Sequence, residues 1–167
     1  TICEEVGYLN HLSRMMIYPW AAGAIRRLNE AGLPVIVVTN QSGVSRGMFP
    51  ESLVLDVHRQ MAQELGAARA RLDAFYYCTH RREDDCNCRK PLPGLLERAV
   101  AEHGIDLARS FVVGDRYLAV ALAHAAGGRG IMLMSGYGRG EYEYHRHKWS
   151  RQPDHVAENL QAAAEII

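Results

Sequence analysis

Strands alternating with helices over 167 residues predict an α/β domain, a doubly wound parallel sheet with helices on both faces, Rossmann-like. Two observations carry this. Short runs rich in β-branched or apolar residues, at 33–39, 110–113 and 130–134, each stop at a polar or glycine turn, and stretches of helical apolar periodicity fill the intervals. No internal repeat or low-complexity tract breaks the order, and the length fits a single domain, 1–167, with a sizeable core.

Taken in order, residues 1–17 lack periodicity and read as a loop. Pro19 suits a helix start, Ala22, Ile25, Leu28 and Asn29 follow, and Gly32 stops the helix. The run LPVIVVT at 33–39 has the composition of a strand buried on both faces, and it ends in a polar loop at 40–47. Leu53, Val54, Val57, Met61 and Leu65 recur at helical steps over 50–65, closing at Gly66. Residues 73–78 hold Phe75, Tyr76 and Tyr77 and read as a strand. A third helix opens near Pro93, buries Leu95, Leu96, Ala99 and Val100, and ends at Gly104. Strand 110–113 runs into Gly114-Asp115, a helix buries Leu118, Ala121, Leu122 and Ala125 up to Gly127-Gly128, and 130–134 is the next strand. From His155 a short extended piece leads to a helix through Leu160, Ala163 and Ala164, while the basic, aromatic segment 145–149 is expected to be a mobile loop.

Nineteen basic residues balance nineteen acidic ones, so the overall charge favours neither nucleic acid nor an anionic membrane. Only Lys90 and Lys148 are lysines. The apolar runs are too short to span a bilayer, and residues 1–17 lack the pattern of a signal peptide. A reduced cytoplasm is expected from the cysteines, and a monomer acting on a small molecule from the rest.

The densest chemistry lies at 77–94, YCTHRREDDCNCRKPLPG. Cys78, His80, Cys86 and Cys88 offer thiolate and imidazole to a tetrahedral zinc ion, and four protein ligands close such a site, making it structural. Free thiols are the weaker alternative, and the charged 81–85 is a solvated tip. Three predicted strand ends carry polar groups: Thr39-Asn40-Gln41, Arg89-Lys90 and Gly114-Asp115-Arg116. Ligands of doubly wound sheets bind at those ends. Thr39 and Asn40 suit phosphoryl oxygens or a turn; Lys90 suits a charge on a transferring phosphoryl group or the bare surface; Asp115 suits magnesium or a helix cap.

VVTNQSG at 37–43, CRKPLPG at 88–94 and VGD at 113–115 resemble three motifs of the haloacid dehalogenase superfamily of phosphatases, and the resemblance covers nearly the whole chain. The Cys78-x-His80 and Cys86-x-Cys88 pairs resemble its zinc-bearing branch, which holds heptose bisphosphate and histidinol-phosphate phosphatases. Gly7-Tyr8-Leu9, residues 43–47 and Pro91-Leu92-Pro93-Gly94 are more similar to the heptose type. The resemblance implies magnesium-dependent hydrolysis of a sugar phosphate through an aspartyl-phosphate. Thr39 and Asn40 would hold the phosphoryl group, Lys90 would balance its charge, and Asp115 would bind magnesium. Gln41, Arg46 and Arg89 would face substrate, and zinc would hold the loop of Arg89 and Lys90 rigid.

Two departures stand out. The family's first motif, a central strand ending in Asp-x-Asp-Gly-Thr, is matched only at Thr1, so the nucleophile and the general acid/base are expected to be missing, together with one strand of the sheet. Ala119 also stands where the family usually has another aspartate. By itself the chain is therefore expected to be inactive, and a silent sugar-phosphate-binding module is the alternative.

Overall fold

The computed structural model describes residues 1–167. Five strands, β1 Ile36–Asn40, β2 Ala74–Cys78, β3 Phe111–Gly114, β4 Arg129–Leu133 and β5 His155–Ala157, alternate with six helices. These are α1 Ala21–Glu30, α2 Glu51–Ala67, α3 Gly94–His103, α4 Tyr117–Ala125, α5 Gly138–His145 and α6 Leu160–Ile166. All pairings between these strands are parallel, as βαβ crossovers require.

The strands form two separate parallel sheets. β1 pairs with β2, with Val37 opposite Phe75 and Thr39 opposite Tyr77. β3, β4 and β5 form the second sheet in that order. Between β1 and β3 lies a cleft of about 730 Å³, whose walls include Val35, Val37, Phe111 and Val113. β1 is consequently half-buried throughout instead of buried on both faces, because one of its edges opens onto the cleft.

Strand alternation sends side chains to two helical layers. On one face Ile25 and Leu28 of α1, Met61 and Leu65 of α2, and Leu160 and Ala163 of α6 pack with Ile131 and Leu133, and Phe75 and Phe111 adjoin them. On the other, Leu95 and Ala99 of α3 cover Tyr76 and Cys78. Helices thus lie on both faces.

Several local expectations need correction. Residues 2–4 are bridged to 16–18 rather than looped free: Glu4 N–H donates to Met16 O and Tyr18 N–H to Ile2 O, at 2.8 and 3.0 Å. Gly66 lies inside α2, which continues to Ala67. α4 buries Ala119, Val120, Leu122 and Ala123, so Leu118, Ala121 and Ala125 are off its inner face. Its nearly uniform apolar composition gave no clean stripe to read. Residues 145–149, expected to be a loop, finish α5 and form a 3₁₀ turn at Arg146–Lys148. Two glycines hid α5 from propensity, and tertiary contacts hold it: Trp149 stacks on Tyr117 at 4.3 Å and Tyr142 meets it edge-on.

Candidate active site

The three polar strand ends meet at the mouth of the cleft. Thr39, Asn40, Gln41, Arg89, Lys90 and Asp115 all line it. Asn40, at the end of β1, does not point its amide freely into the cleft: it accepts from Lys90 N–H at 3.0 Å and donates to Lys90 O at 3.3 Å. This two-way bond clamps the loop after β2 onto β1. Gln41 Nε2 donates to Thr39 Oγ1 at 3.2 Å, and Gln41 N–H donates to Cys78 O at 2.7 Å, so Gln41 orients the Thr39 hydroxyl.

Lys90 follows the clamp, its peptide to Pro91 is cis, and its Nζ donates to Val38 O at 2.9 Å. Burial lowers its pKa to about 8; Asp115 opposes the shift, and Arg116 and Arg89 add to it. One backbone acceptor leaves two ammonium protons for an anion.

Asp115 is buried at the end of β3. Its Oδ1 accepts the Thr1 hydroxyl at 2.6 Å and lies 3.3 Å from the Thr1 amino nitrogen, while Oδ2 accepts Tyr137 N–H at 3.2 Å. Burial raises its pKa, while the Thr1 hydroxyl and the Tyr137 N–H, both donating to it, lower it. An ionised, half-enclosed carboxylate among backbone and hydroxyl groups fits a hard, oxygen-seeking cation such as magnesium. Ala119 lies so close that a Cβ on Gly114 would be 2.5 Å from its own, and it supplies no second oxygen.

The cluster of Cys78, His80, Cys86 and Cys88 brings its four ligand atoms within 4.8 Å of one another. Cys78 Sγ is 3.0 Å from Cys88 Sγ, and His80 Nδ1 is 3.2 Å from Cys88 Sγ. A tetrahedron of zinc–sulfur bonds has edges of about 3.8 Å, so the set could hold a metal after slight expansion. Burial pushes the Cys78 thiol up to about 12, a barrier that a bound dication removes by taking the thiolate. Burial raises Cys86 too, yet the Arg89 and Cys88 N–H groups bring it below the ordinary thiol value.

The metal loop is tied to its neighbours. Gly94 N–H donates to Asn87 O at 2.9 Å, and a Cβ on Gly94 would lie 2.7 Å from that oxygen, so only glycine lets the loop close onto α3. Arg89 Nη1 donates to His80 O at 2.9 Å. Ser45 Oγ donates to Thr79 O at 2.5 Å, and Arg81 donates to Ser45 O. The loop after β1 therefore rests on the metal loop. Arg46 lies outside the cleft, its Nη2 3.9 Å from Glu83 Oε1.

Sequence reading placed Arg116 at a polar strand end without a role of its own and gave none to Glu141 or Tyr137. Arg116 Nε donates to Glu141 Oε1 at 2.9 Å and its guanidinium stacks over the Tyr137 ring at 4.7 Å. The available signal was adjacency to Asp115; Glu141 and Tyr137 belong to the segment the periodicity did not reveal.

The HAD-hydrolase-like family model matches residues 87–163. The D-glycero-D-manno-heptose-1,7-bisphosphate 7-phosphatase of Thermosynechococcus vestitus is 36% identical over 179 residues, spanning 98% of this chain and 89% of that protein. The chain belongs to the haloacid dehalogenase-like phosphatases. A second phosphatase with this specificity in its name, D-glycero-beta-D-manno-heptose-1,7-bisphosphate 7-phosphatase of Rhodopseudomonas palustris, is 42% identical over 127 residues, 72% of this chain and 71% of the relative. Among solved structures, D,D-heptose 1,7-bisphosphate phosphatase from B. bronchiseptica, complexed with magnesium and phosphate, superposes with a TM-score of 0.90 at 29% identity, covering 99% of this chain and 92% of that one. As a haloacid dehalogenase-like phosphatase, the chain has the α/β architecture expected of it, and its polar strand ends line one cleft. No helix is long and apolar enough to cross a membrane.

Proposed function

We propose that the protein removes the 7-phosphate of heptose 1,7-bisphosphate by magnesium-dependent hydrolysis. The convergence of Thr39, Lys90 and Asp115 from three strand ends on one cleft carries this reading, and the substrates named for the relatives support it. Thr39 donates its hydroxyl to a phosphoryl oxygen, and Gln41 keeps that hydroxyl aimed. Lys90 offsets the charge of the equatorial oxygens, with Asn40 fixing the main chain that presents it. Arg89 and, more weakly, Arg46 are the substrate contacts suggested by sequence. Magnesium at Asp115 would supply a further positive charge to the phosphoryl oxygens. Zinc is proposed at the Cys78, His80, Cys86 and Cys88 site, where it would keep Arg89 and Lys90 in register.

Hydrolysis needs a nucleophile. A carboxylate oxygen attacks phosphorus, the sugar–oxygen bond to phosphorus breaks, and the alkoxide takes a proton from a second carboxyl group. Water then splits the acyl-phosphate, restoring the carboxylate and releasing inorganic phosphate. The carboxylates lining the cleft are Glu4, Glu5 and Asp115, and Asp115 is committed to the cation. We therefore assign the nucleophile to an extended segment seated between β1 and β3, where it would pair with both open edges. The protein is taken as a cytoplasmic monomer.

The absence of a second aspartate at Ala119 favours a second reading, a silent zinc-stabilised binding module. Histidinol phosphate remains the alternative substrate within the enzyme reading. The deciding experiment supplies an Asp-x-Asp-Gly strand ahead of Thr1 and measures phosphate release with magnesium. Turnover of heptose bisphosphate is expected; binding without release from any sugar phosphate would support the silent module, and preference for histidinol phosphate would move the substrate.

A further inference from the structure

We infer that Ser45 is a positioning residue that bolts the loop after β1 to the metal loop, so that metal occupancy orders the Thr39 wall of the site as well as the Lys90 wall. The inference rests on the phosphatase reading above and deepens it by naming a second route from the metal cluster to the phosphate. Cys78, Thr79, His80 and Arg81 follow one another, and Ser45 engages this run at two places. Ser45 Oγ donates to Thr79 O at 2.5 Å, between two of the clustered ligand residues. Arg81 Nε donates back to Ser45 O at 3.0 Å, and its Nη2 donates to the same oxygen. One residue thus gives from its side chain and receives on its main chain across the gap.

The loop that carries Ser45 is tied up within itself. Val44 N–H donates to Gln41 O at 3.2 Å, Arg46 N–H to Ser42 O at 3.1 Å, and Gly47 N–H to Val44 O and Met48 N–H to Gly43 O at 2.9 Å each. Ser42 and Phe49 are buried, and the Phe49 ring lies over Gly43 so closely that a Cβ there would strike it. A knot closed in this way passes a displacement on instead of absorbing it. Its near end is Gln41, whose Nε2 donates to the Thr39 hydroxyl at 3.2 Å. The route from the cluster to the phosphate donor therefore runs through Thr79, Ser45, Gln41 and Thr39.

The other ties between the two loops are of a different kind. Arg46 meets Glu83 at 3.9 Å with both side chains exposed, and such a pair contributes little. Gln41 N–H donates to Cys78 O at 2.7 Å, a bond that continues the pairing of β1 with β2 and needs no metal. Ser45 instead grips the segment between Cys78 and His80, whose course a metal in the cluster would fix.

Amide hydrogen exchange on the zinc-loaded full chain, with and without chelator, tests this. In the unmutated chain, chelation should speed exchange at residues 44–48 and at Lys90 by roughly tenfold, while β4 stays protected. In Ser45→Ala with zinc bound, residues 44–48 should already exchange at the faster rate, Lys90 should keep its protection, and chelator should add nothing at 44–48. Ser45→Thr keeps the hydroxyl and should restore the unmutated response, which loss of packing alone would not do. Calorimetry with inorganic phosphate in magnesium buffer should show several-fold weaker binding by zinc-loaded Ser45→Ala, recovered in Ser45→Thr. Residues 44–48 that ignore chelator in the unmutated chain, or still answer it in Ser45→Ala, would overturn the inference, and so would an unchanged phosphate affinity in Ser45→Ala. If the unmutated chain binds no phosphate, the phosphatase reading fails by itself, and exchange still decides whether Ser45 carries the coupling. Should chelation unfold the whole chain, seen as lost protection in β4, Ser45→Ala and Ser45→Thr with zinc bound decide by the same amides.

Discussion

Gly136→Ala is a sharp test of how the Asp115 carboxylate is held. Gly136 has φ +57, and a Cβ there would collide with Asp115 Oδ2 and lie 3.0 Å from its Cγ. Placing an L-residue in the left-handed region costs ~1 kcal/mol. The collision is relieved only if the carboxylate swings away, which breaks its bond from Tyr137 N–H, and a hydrogen bond to a charged group contributes ~2 kcal/mol. The sum, ~3 kcal/mol, corresponds to a Tm lowered by roughly 6–12 °C in a domain of this size. Magnesium affinity should fall with it, because the ligand oxygen has moved. Gly140→Ala is the control: it sits in α5 with open space at its Cβ, and the better helix former should stabilise by up to ~1 kcal/mol. Thermal unfolding followed by circular dichroism, with magnesium titration by calorimetry, reads both effects. A Gly136→Ala protein that melts with the unmutated chain and binds magnesium equally well would refute the reasoning.

Removal of metal should be equally visible: elemental analysis is expected to find about one zinc per chain, and chelation or Cys88→Ser should lower the Tm by several degrees, whereas a metal-free protein indifferent to chelator would exclude the site. Lys90→Met keeps the side chain's length in a half-buried position and removes its charge, so phosphate affinity should drop about a hundredfold, ~2.7 kcal/mol, with a smaller change in unfolding free energy, both read by titration and urea melts. His58 lies buried against the Phe75 ring at 4.5 Å, and burial holds its pKa below the ordinary 6.5. Protonation therefore favours the unfolded chain: this contribution to stability is complete above 6.5 and lost as pH falls through the lower folded value. His58→Phe should flatten that part of the urea-midpoint profile between pH 7 and 5, and an unchanged slope would show that His58 is not the group responsible.

Much of the architecture follows from local rules in the sequence. The β-branched run at 36–40, the glycine stop after α3 and the periodic Val54, Met61 and Leu65 fix their elements because backbone sterics and one-sided burial act within a few residues. The chemistry of the site was legible for the same reason: Cys78, His80, Cys86 and Cys88 are crowded into eleven residues, Thr39 and Asp115 stand at strand ends, and Lys90 closes the metal loop. Tertiary structure decided the rest. Only folding brings Asn40 onto the Lys90 backbone across 50 positions, or Arg116 onto Glu141 across 25. It also splits the strands into two sheets and leaves β1 half-exposed, since burial depends on what lies beside a strand and not on its own composition. α5 was hidden because its glycines argue against a helix, and the Trp149–Tyr117 stack that stabilises it joins segments with no local signature of contact. Short-range preferences are written residue by residue, whereas the orientation of a carboxylate or a guanidinium is fixed by partners that only the fold assembles.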